Sequence, residues 1–174
     1  IGAAKHLNLY SLLVKCTGTD GTIASTQFME MWRHYINGAD FSALYGQQVT
    51  ISFWAKTASN NSGDTCYLLF NNRASDRSYV HAFNPTSTWT QFTHTLTMDT
   101  SGTWASIGAE SDYALRILIS GSSGTDYDDG TNDAWVGTFE RWDSSTAIGN
   151  FMSSTSNEFY ITQVGLYLGS TAPT

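Results

Sequence analysis

The sequence predicts an all-β fold, a sandwich or barrel of short strands, and three observations carry that expectation. Apolar and polar residues alternate with a period of two along most of the chain. No stretch keeps a helical period for as long as three turns. The alternating runs are short and are separated by the turn-forming clusters GTDG, NNSGD, DTSG and SGSSG, the punctuation of a sandwich or barrel. The 174 residues fit a single β-sandwich domain, 1–174, with enough length to enclose a core, as part of a longer or multi-subunit protein.

Strands are expected at 7–16 and 26–36, followed by a connector at 37–46 with room for one helical turn. The clearest strand is 48–58, QVTISFWAKTA, where Val49, Ile51, Phe53 and Ala55 point one way and Thr50, Ser52, Trp54 and Lys56 the other. Further strands are expected at 65–71, 77–83 and 88–98. In 113–120, YALRILIS, the residues Tyr113, Leu115, Ile117 and Ile119 share one face and Arg116 lies on the opposite, solvated one. The last strand, 158–169, alternates through Phe159 and Ile161 and then resumes out of step at Val164, Leu166 and Leu168. One extra residue near Thr162 and Gln163 restores the phase, which is what a β-bulge supplies. Between these last two strands lies a long irregular segment, 121–151, of the kind that carries function or forms an interface.

Composition narrows the function classes. Charged residues are 13% of the chain, about half the usual share, while aromatics reach 14%, so disorder is not expected. A formal net charge of −7 argues against nucleic acid and against anionic membrane surfaces, both of which call for a basic footprint. No apolar run approaches the roughly 18 residues of a spanning helix. Neutral, hydroxyl-rich ligands such as glycans remain, because they require stacking and hydrogen bonds more than charge. The chain starts at Ile1 rather than Met, which reads as processing or as a piece of something longer. Its two cysteines, Cys16 and Cys66, suffice for one disulfide or for two small buried thiols, with the latter the simpler reading.

The ordered series YSLLVKCTGTDGTIASTQF, QQVTISFWAKTA, NRASDRSYVHAF, STWTQFTHTLTMDTSGTW, ALRILISGSSGTDY, NDAWVGTF and FYITQVGLYLGS resembles a β-sandwich module of tailed-phage tail fibres and related virion proteins. That module is itself similar to jelly-roll carbohydrate-binding modules. The resemblance spans nearly the whole chain, and MEMWRHYINGADFSAL and FERWDSSTAI depart from it. It implies an all-β jelly-roll β-sandwich of two antiparallel sheets, and a non-catalytic viral structural protein exposed on the phage particle, engaged in host recognition and binding host-surface glycan. The alternative is a purely structural virion protein that mediates subunit assembly, as a homo-oligomer such as a trimer, without binding sugar.

For glycan binding, Trp54 is the candidate stacking platform, with Lys56, Arg116, Tyr160 and Tyr167 in the outward phase of their strands as hydrogen-bonding partners. The competing expectation is that loops cover this face and bury Trp54. Trp89 and Trp104 read as packing at the sandwich ends. Trp32, Trp135 and Trp142, in the irregular or departing segments, are the candidate subunit-interface residues, with burial inside the domain equally open and Trp32 and Trp142 foremost.

The acidic stretch Asp126, Asp128, Asp129, Asn132 and Asp133 offers hard oxygen ligands, but Gly130 comes one residue early for an EF-hand loop, so a solvated loop is the expectation there. Related modules carry a structural calcium near the chain ends; no residue of this sequence maps onto that site, and no other cofactor is expected. His6, His34, His81 and His94 show no ligand spacing, and His94, alternating with Phe92 and Leu96, reads as a satisfied core or edge histidine. No nucleophile elbow, zinc-protease helix or phosphate loop is present, and the strand-borne carboxylates Glu30 and Glu158 form no pattern of a glycosidase pair.

Overall fold

A computed structural model describes residues 10–104 and 107–172 of the chain. Nine strands run in the order β1 (Leu12–Lys15), β2 (Phe28–Asn37), β3 (Gln48–Thr57), β4 (Cys66–Asn72), β5 (Ser78–Phe83), β6 (Thr90–Thr97), β7 (Tyr113–Ser123), β8 (Trp135–Val136) and β9 (Glu158–Leu168). They form a four-stranded sheet, β1-β9-β3-β6, and a five-stranded sheet, β2-β7-β4-β5-β8, with all strand pairings antiparallel. The pairings nest: β4 with β5, β3 with β6, β2 with β7, and β1 with β9. A long antiparallel ribbon rolled so that successive pairs alternate between two sheets is a jelly roll.

The expected elements are present with small shifts at their ends. The strand expected at 7–16 is β1, whose first expected residues, 7–9, lie outside the described ones. The connector after β2 holds one short helix, α1 (Gly38–Ser42), capped by Asn37, whose Oδ1 accepts the Asp40 N–H at 2.8 Å. The bulge in β9 is also where the alternation placed it. Pairing with β3 shifts register between Ser52 and Trp54, and Gln163 has φ of 54°, the left-handed conformation that lets the extra residue turn out of the ladder. The two-residue strand β8 is too short to show an alternation; its pairing with Ser78 and Tyr79 of β5 extends the larger sheet.

The core lies between the sheets. Val49, Ile51, Phe53 and Ala55 of β3 and Phe159 and Ile161 of β9 face Leu68 and Phe70 of β4 and Leu115, Ile117 and Ile119 of β7. Each fully buried large apolar side chain contributes about 1.5–3 kcal/mol. Cys16 and Cys66 are buried free thiols in this core, and burial pushes the Cys66 thiol up to about 12. Trp104 stacks on Phe41 of α1 at 4.5 Å and closes one end, as its sequence position suggested.

A second apolar cluster sits on the outward side of the five-stranded sheet. There the long segment 124–150 folds back as a roof: Trp142 packs on Tyr67, Leu69, Val80 and Leu118, and its indole N–H donates to the Gly124 carbonyl at 3.2 Å. Tyr67 fastens the far side, its hydroxyl 3.0 Å from the Asp143 carbonyl and 2.5 Å from that of Thr146. Gly124 is required where the roof begins, since a Cβ there would sit 2.0 Å from the Ala24 carbonyl oxygen.

Candidate functional site

Because β3 is an inner strand of its sheet, its outward residues project from the middle of a face. Strand pairing puts Trp54 between Gln91 of β6 and Thr162 of β9, and Lys56 beside Tyr160. β1 adds Leu13 opposite Tyr160 and Lys15 opposite Glu158. Trp54, Lys56, Tyr160 and Tyr167 therefore share the outward face of the four-stranded sheet. All four are half-buried rather than sealed. Among the described residues no segment comparable to 124–150 packs over this face.

The face is arranged as a pavement. The Lys56 ammonium lies 4.6 Å from the Tyr160 ring centroid and 5.4 Å from that of Trp89, and these two rings meet edge to face at 6.3 Å. The Tyr160 hydroxyl donates to Glu158 Oε2 at 2.6 Å, and Lys15 Nζ is 2.9 Å from Glu158 Oε1. The Tyr160 hydroxyl, and after it Lys15, holds the Glu158 carboxyl below its ordinary range, and the same bond raises the phenol of Tyr160. Further along β9, the Tyr167 ring lies over Gly165, where a Cβ would come within 2.3 Å of the Tyr167 hydroxyl. The missing side chain at Gly165 is what lets this ring lie flat along the strand.

Beneath and beside the rings the hydroxyls are already organised. Thr50 Oγ1 donates to the Gly169 carbonyl at 2.7 Å and lies 2.8 Å from Thr95 Oγ1, while Gln91 Nε2 donates to Ser52 Oγ at 3.0 Å. Among the described residues the Trp54 indole N–H has no hydrogen-bond acceptor. A flat aromatic surface, one ammonium and an unengaged indole donor can receive the apolar face of a ring and hydrogen-bond the hydroxyls around it.

Arg116 does not join this group. It projects from β7 on the other sheet, beneath the roof, with its guanidinium 4.9 Å from the Phe139 ring and its Nε and Nη2 buried without hydrogen-bond partners among the described residues. Its outward phase was read correctly from the alternation, but alternation does not say to which sheet a strand belongs. Trp142 is buried as the centre of the roof and offers no surface to another subunit. Trp32, on the edge strand β2, is half-buried against the core and stacks with His34 at 6.1 Å.

Trp89, read from the sequence as end packing, is a member of the open face and 39% exposed. Counting alternation backwards from His94 and Phe92, which point inward, would have put Trp89 in phase with Gln91 and Thr93 on the outside. Glu30 and Glu158, unpaired by any sequence pattern, both acquire partners in space. Glu30 binds Arg33 at 3.1 Å and the buried Arg141 at 2.9 Å. Among the described residues Asp126, Asp128 and Asp129 do not gather with Asp133 into a set of metal-capable groups; Asp133 instead approaches His81 and His94.

No protein-family model and no curated protein matches the sequence. Two solved structures are similar in fold. One, described as "CBM4 structure and function", aligns with a TM-score of 0.45 and 13% identity over 91% of this chain and 84% of that one. The other, "EclA C-terminal domain; sugar-binding protein", aligns with a TM-score of 0.38 and 12% identity over 95% of this chain and 86% of that one. Likeness at this level is a matter of shape, and the functional reading rests on the residues of this chain.

Proposed function

We propose that the outward face of the four-stranded sheet is a non-catalytic carbohydrate-binding surface, with Trp54 as its central platform and Trp89, Tyr160, Tyr167 and Lys56 around it. One observation carries this reading: of the two outward faces, one is roofed and the other is left with aromatic side chains unsealed. Unsealed aromatic area on a sheet face costs hydration free energy unless a partner covers it part of the time. A pyranose suits that partner role, since it presents apolar C–H groups to the rings and hydroxyls to Lys56, Gln91 and the Trp54 indole. The net charge of −7 favours a neutral or amino sugar over an acidic one. Joined to the resemblance of the strand motifs to tail-fibre modules, the reading becomes recognition of host-surface glycan by a module on a phage particle.

A glycan array probed with the wild type and with Trp54→Ala tests it. The wild type should mark a coherent set of neutral or amino-sugar glycans, and Trp54→Ala should lose them with a nearly unchanged melting temperature. Absence of any glycan bound by the wild type on a broad array overturns the reading.

An assembly role is favoured by a different surface from the one the tryptophans suggested. Leu12 and Leu13 are 49% and 46% exposed on the edge strand β1, whose outer edge has no neighbouring strand among the described residues, and Tyr10 just before it is 86% exposed. Sedimentation of the isolated chain distinguishes the two: a strict monomer that binds glycan leaves the surface reading alone standing.

A further inference from the structure

At one margin of the sandwich the two sheets come together around a pair of histidines. His81 points inward from β5 of the larger sheet and His94 inward from β6 of the smaller, and their rings stack with centroids 3.7 Å apart. Asp133, from the roof segment, closes the gap: its Oδ1 lies 2.6 Å from His81 Nδ1 and 3.6 Å from His94 Nε2. One ligand atom from each of the three side chains falls within 4.8 Å of the others. We propose that His81, His94 and Asp133 form a binding site for a divalent transition-metal ion of the zinc type, which clasps both sheets and the roof together.

The donor set decides the class of ion. Two imidazole nitrogens and one carboxylate oxygen suit zinc and its first-row neighbours, whereas calcium and magnesium take oxygen almost exclusively. With metal–ligand distances of about 2.0–2.2 Å, donor atoms around a tetrahedral ion sit about 3.3 Å apart. The separations of 2.6 and 3.6 Å from Asp133 Oδ1 straddle that value, and the two stacked rings, with centroids 3.7 Å apart, splay to turn both nitrogens onto the ion. To ligate through Nδ1, His81 takes the neutral tautomer that carries its proton on Nε2, so the Nδ1 lone pair and the Asp133 oxygen both turn to the ion. Asp133 is 47% exposed, so the fourth position opens to water.

The supporting contacts hold the carboxylate in place before any ion arrives. Asp133 has φ of 62°, and its N–H donates to the Val80 carbonyl at 2.8 Å. Asn132 Nδ2 donates to Asp133 Oδ2 at 3.0 Å, while Asn132 Oδ1 accepts the Ala82 N–H at 2.8 Å. Such outer contacts orient metal-binding carboxylates. The Tyr79 hydroxyl, 2.9 Å from His94 Nε2, gives up that nitrogen and turns to Asp133 Oδ1, already 3.5 Å away.

Titration of the purified chain with cobalt(II) at neutral pH, followed by zinc(II), tests the proposal. One cobalt per chain should produce a visible absorption band that zinc abolishes, and zinc should raise the melting temperature. His81→Ala should lose the band. Asp133→Asn, which tolerates the left-handed backbone, should weaken binding by more than about tenfold, the least that loss of a mere supporting group around a metal costs. His34→Ala, on β2 away from the cluster, should titrate like the wild type. Absence of a band and of a zinc-induced shift in the wild type overturns the proposal. A His81→Ala variant that binds as well as the wild type overturns it equally.

Discussion

The two outward faces of this sandwich begin from the same rule and end differently. Both belong to antiparallel strands whose alternate residues must point away from the core. On the larger sheet those residues include Leu69, Val80, Leu118 and Ser120, all four buried. They are apolar or small, so 27 residues of otherwise irregular chain, 124–150, can pack on them with Trp142 as the wedge. On the smaller sheet the outward residues are Thr, Ser, Gln, Lys and aromatic rings with polar tips, which do not need a roof. The contrast teaches that an outward apolar stripe recruits a covering segment, whereas an outward amphipathic one stays available for a partner.

The largest effect that would break this contrast comes from the roof. Trp142→Ala should cost about 3–5 kcal/mol in a denaturant titration, the range for truncating a buried large aromatic. A loss below about 1 kcal/mol would mean that the segment rests on the sheet without contributing to the fold. The equivalent truncation on the open face should do the reverse. Trp54→Ala and Trp89→Ala are expected to change stability by less than about 1 kcal/mol, as for surface sites, while removing glycan retention in affinity electrophoresis. If either one unfolds the domain, its face is part of the interior.

Arg116 sharpens the comparison because sequence phase assigned it to the binding group and the sheet order removed it. Beneath the roof its Nε and Nη2 are desolvated and, among the described residues, without hydrogen-bond partners. Arg116→Met, which keeps the length of the stem, should leave stability unchanged or raise it by about 1 kcal/mol or more, since a buried charge replaced by an apolar isostere is often neutral or favourable. Glycan binding should match the wild type. A selective loss of binding with intact stability would show that the ligand reaches the roofed face.

Period-two alternation was enough to place eight of the nine strands and even the bulge at Gln163, because core packing forces every inward side chain into one phase. It also put Trp54, Lys56, Tyr160 and Tyr167 on outward positions. What it could not supply was pairing between distant strands. Whether Arg116 and Trp54 share a sheet depends on β7 pairing with β2 and β4 rather than with β3, and no local pattern encodes that. The same limit hid the cluster at His81, His94 and Asp133, assembled from three segments up to 52 positions apart. Trp142 was ambiguous for another reason: a tryptophan in an irregular segment is equally suited to wedge a loop or to meet a partner, and only the apolar stripe beneath it decides.

The smallest expected effect concerns how the open face keeps its rings in place. In the folded chain the Tyr160 hydroxyl and Lys15 stabilise the ionised form of Glu158, lowering its pKa from 4.5. The unfolded chain therefore takes up a proton on Glu158 at higher pH than the folded chain does. The resulting stabilisation is fully present above about pH 4.5 and fades as pH falls through the folded value. Glu158→Gln removes the charge but leaves an amide oxygen to accept the Tyr160 hydroxyl. Its melting temperature should lie slightly below that of the wild type at pH 7, and the two curves should converge on acidification. Because the ring is still held, glycan retention at pH 7 should persist. A gap that stays constant with pH would mean that the carboxylate does not grip Tyr160, and the ordered pavement of the open face would lose its anchor while the roofed face kept its own.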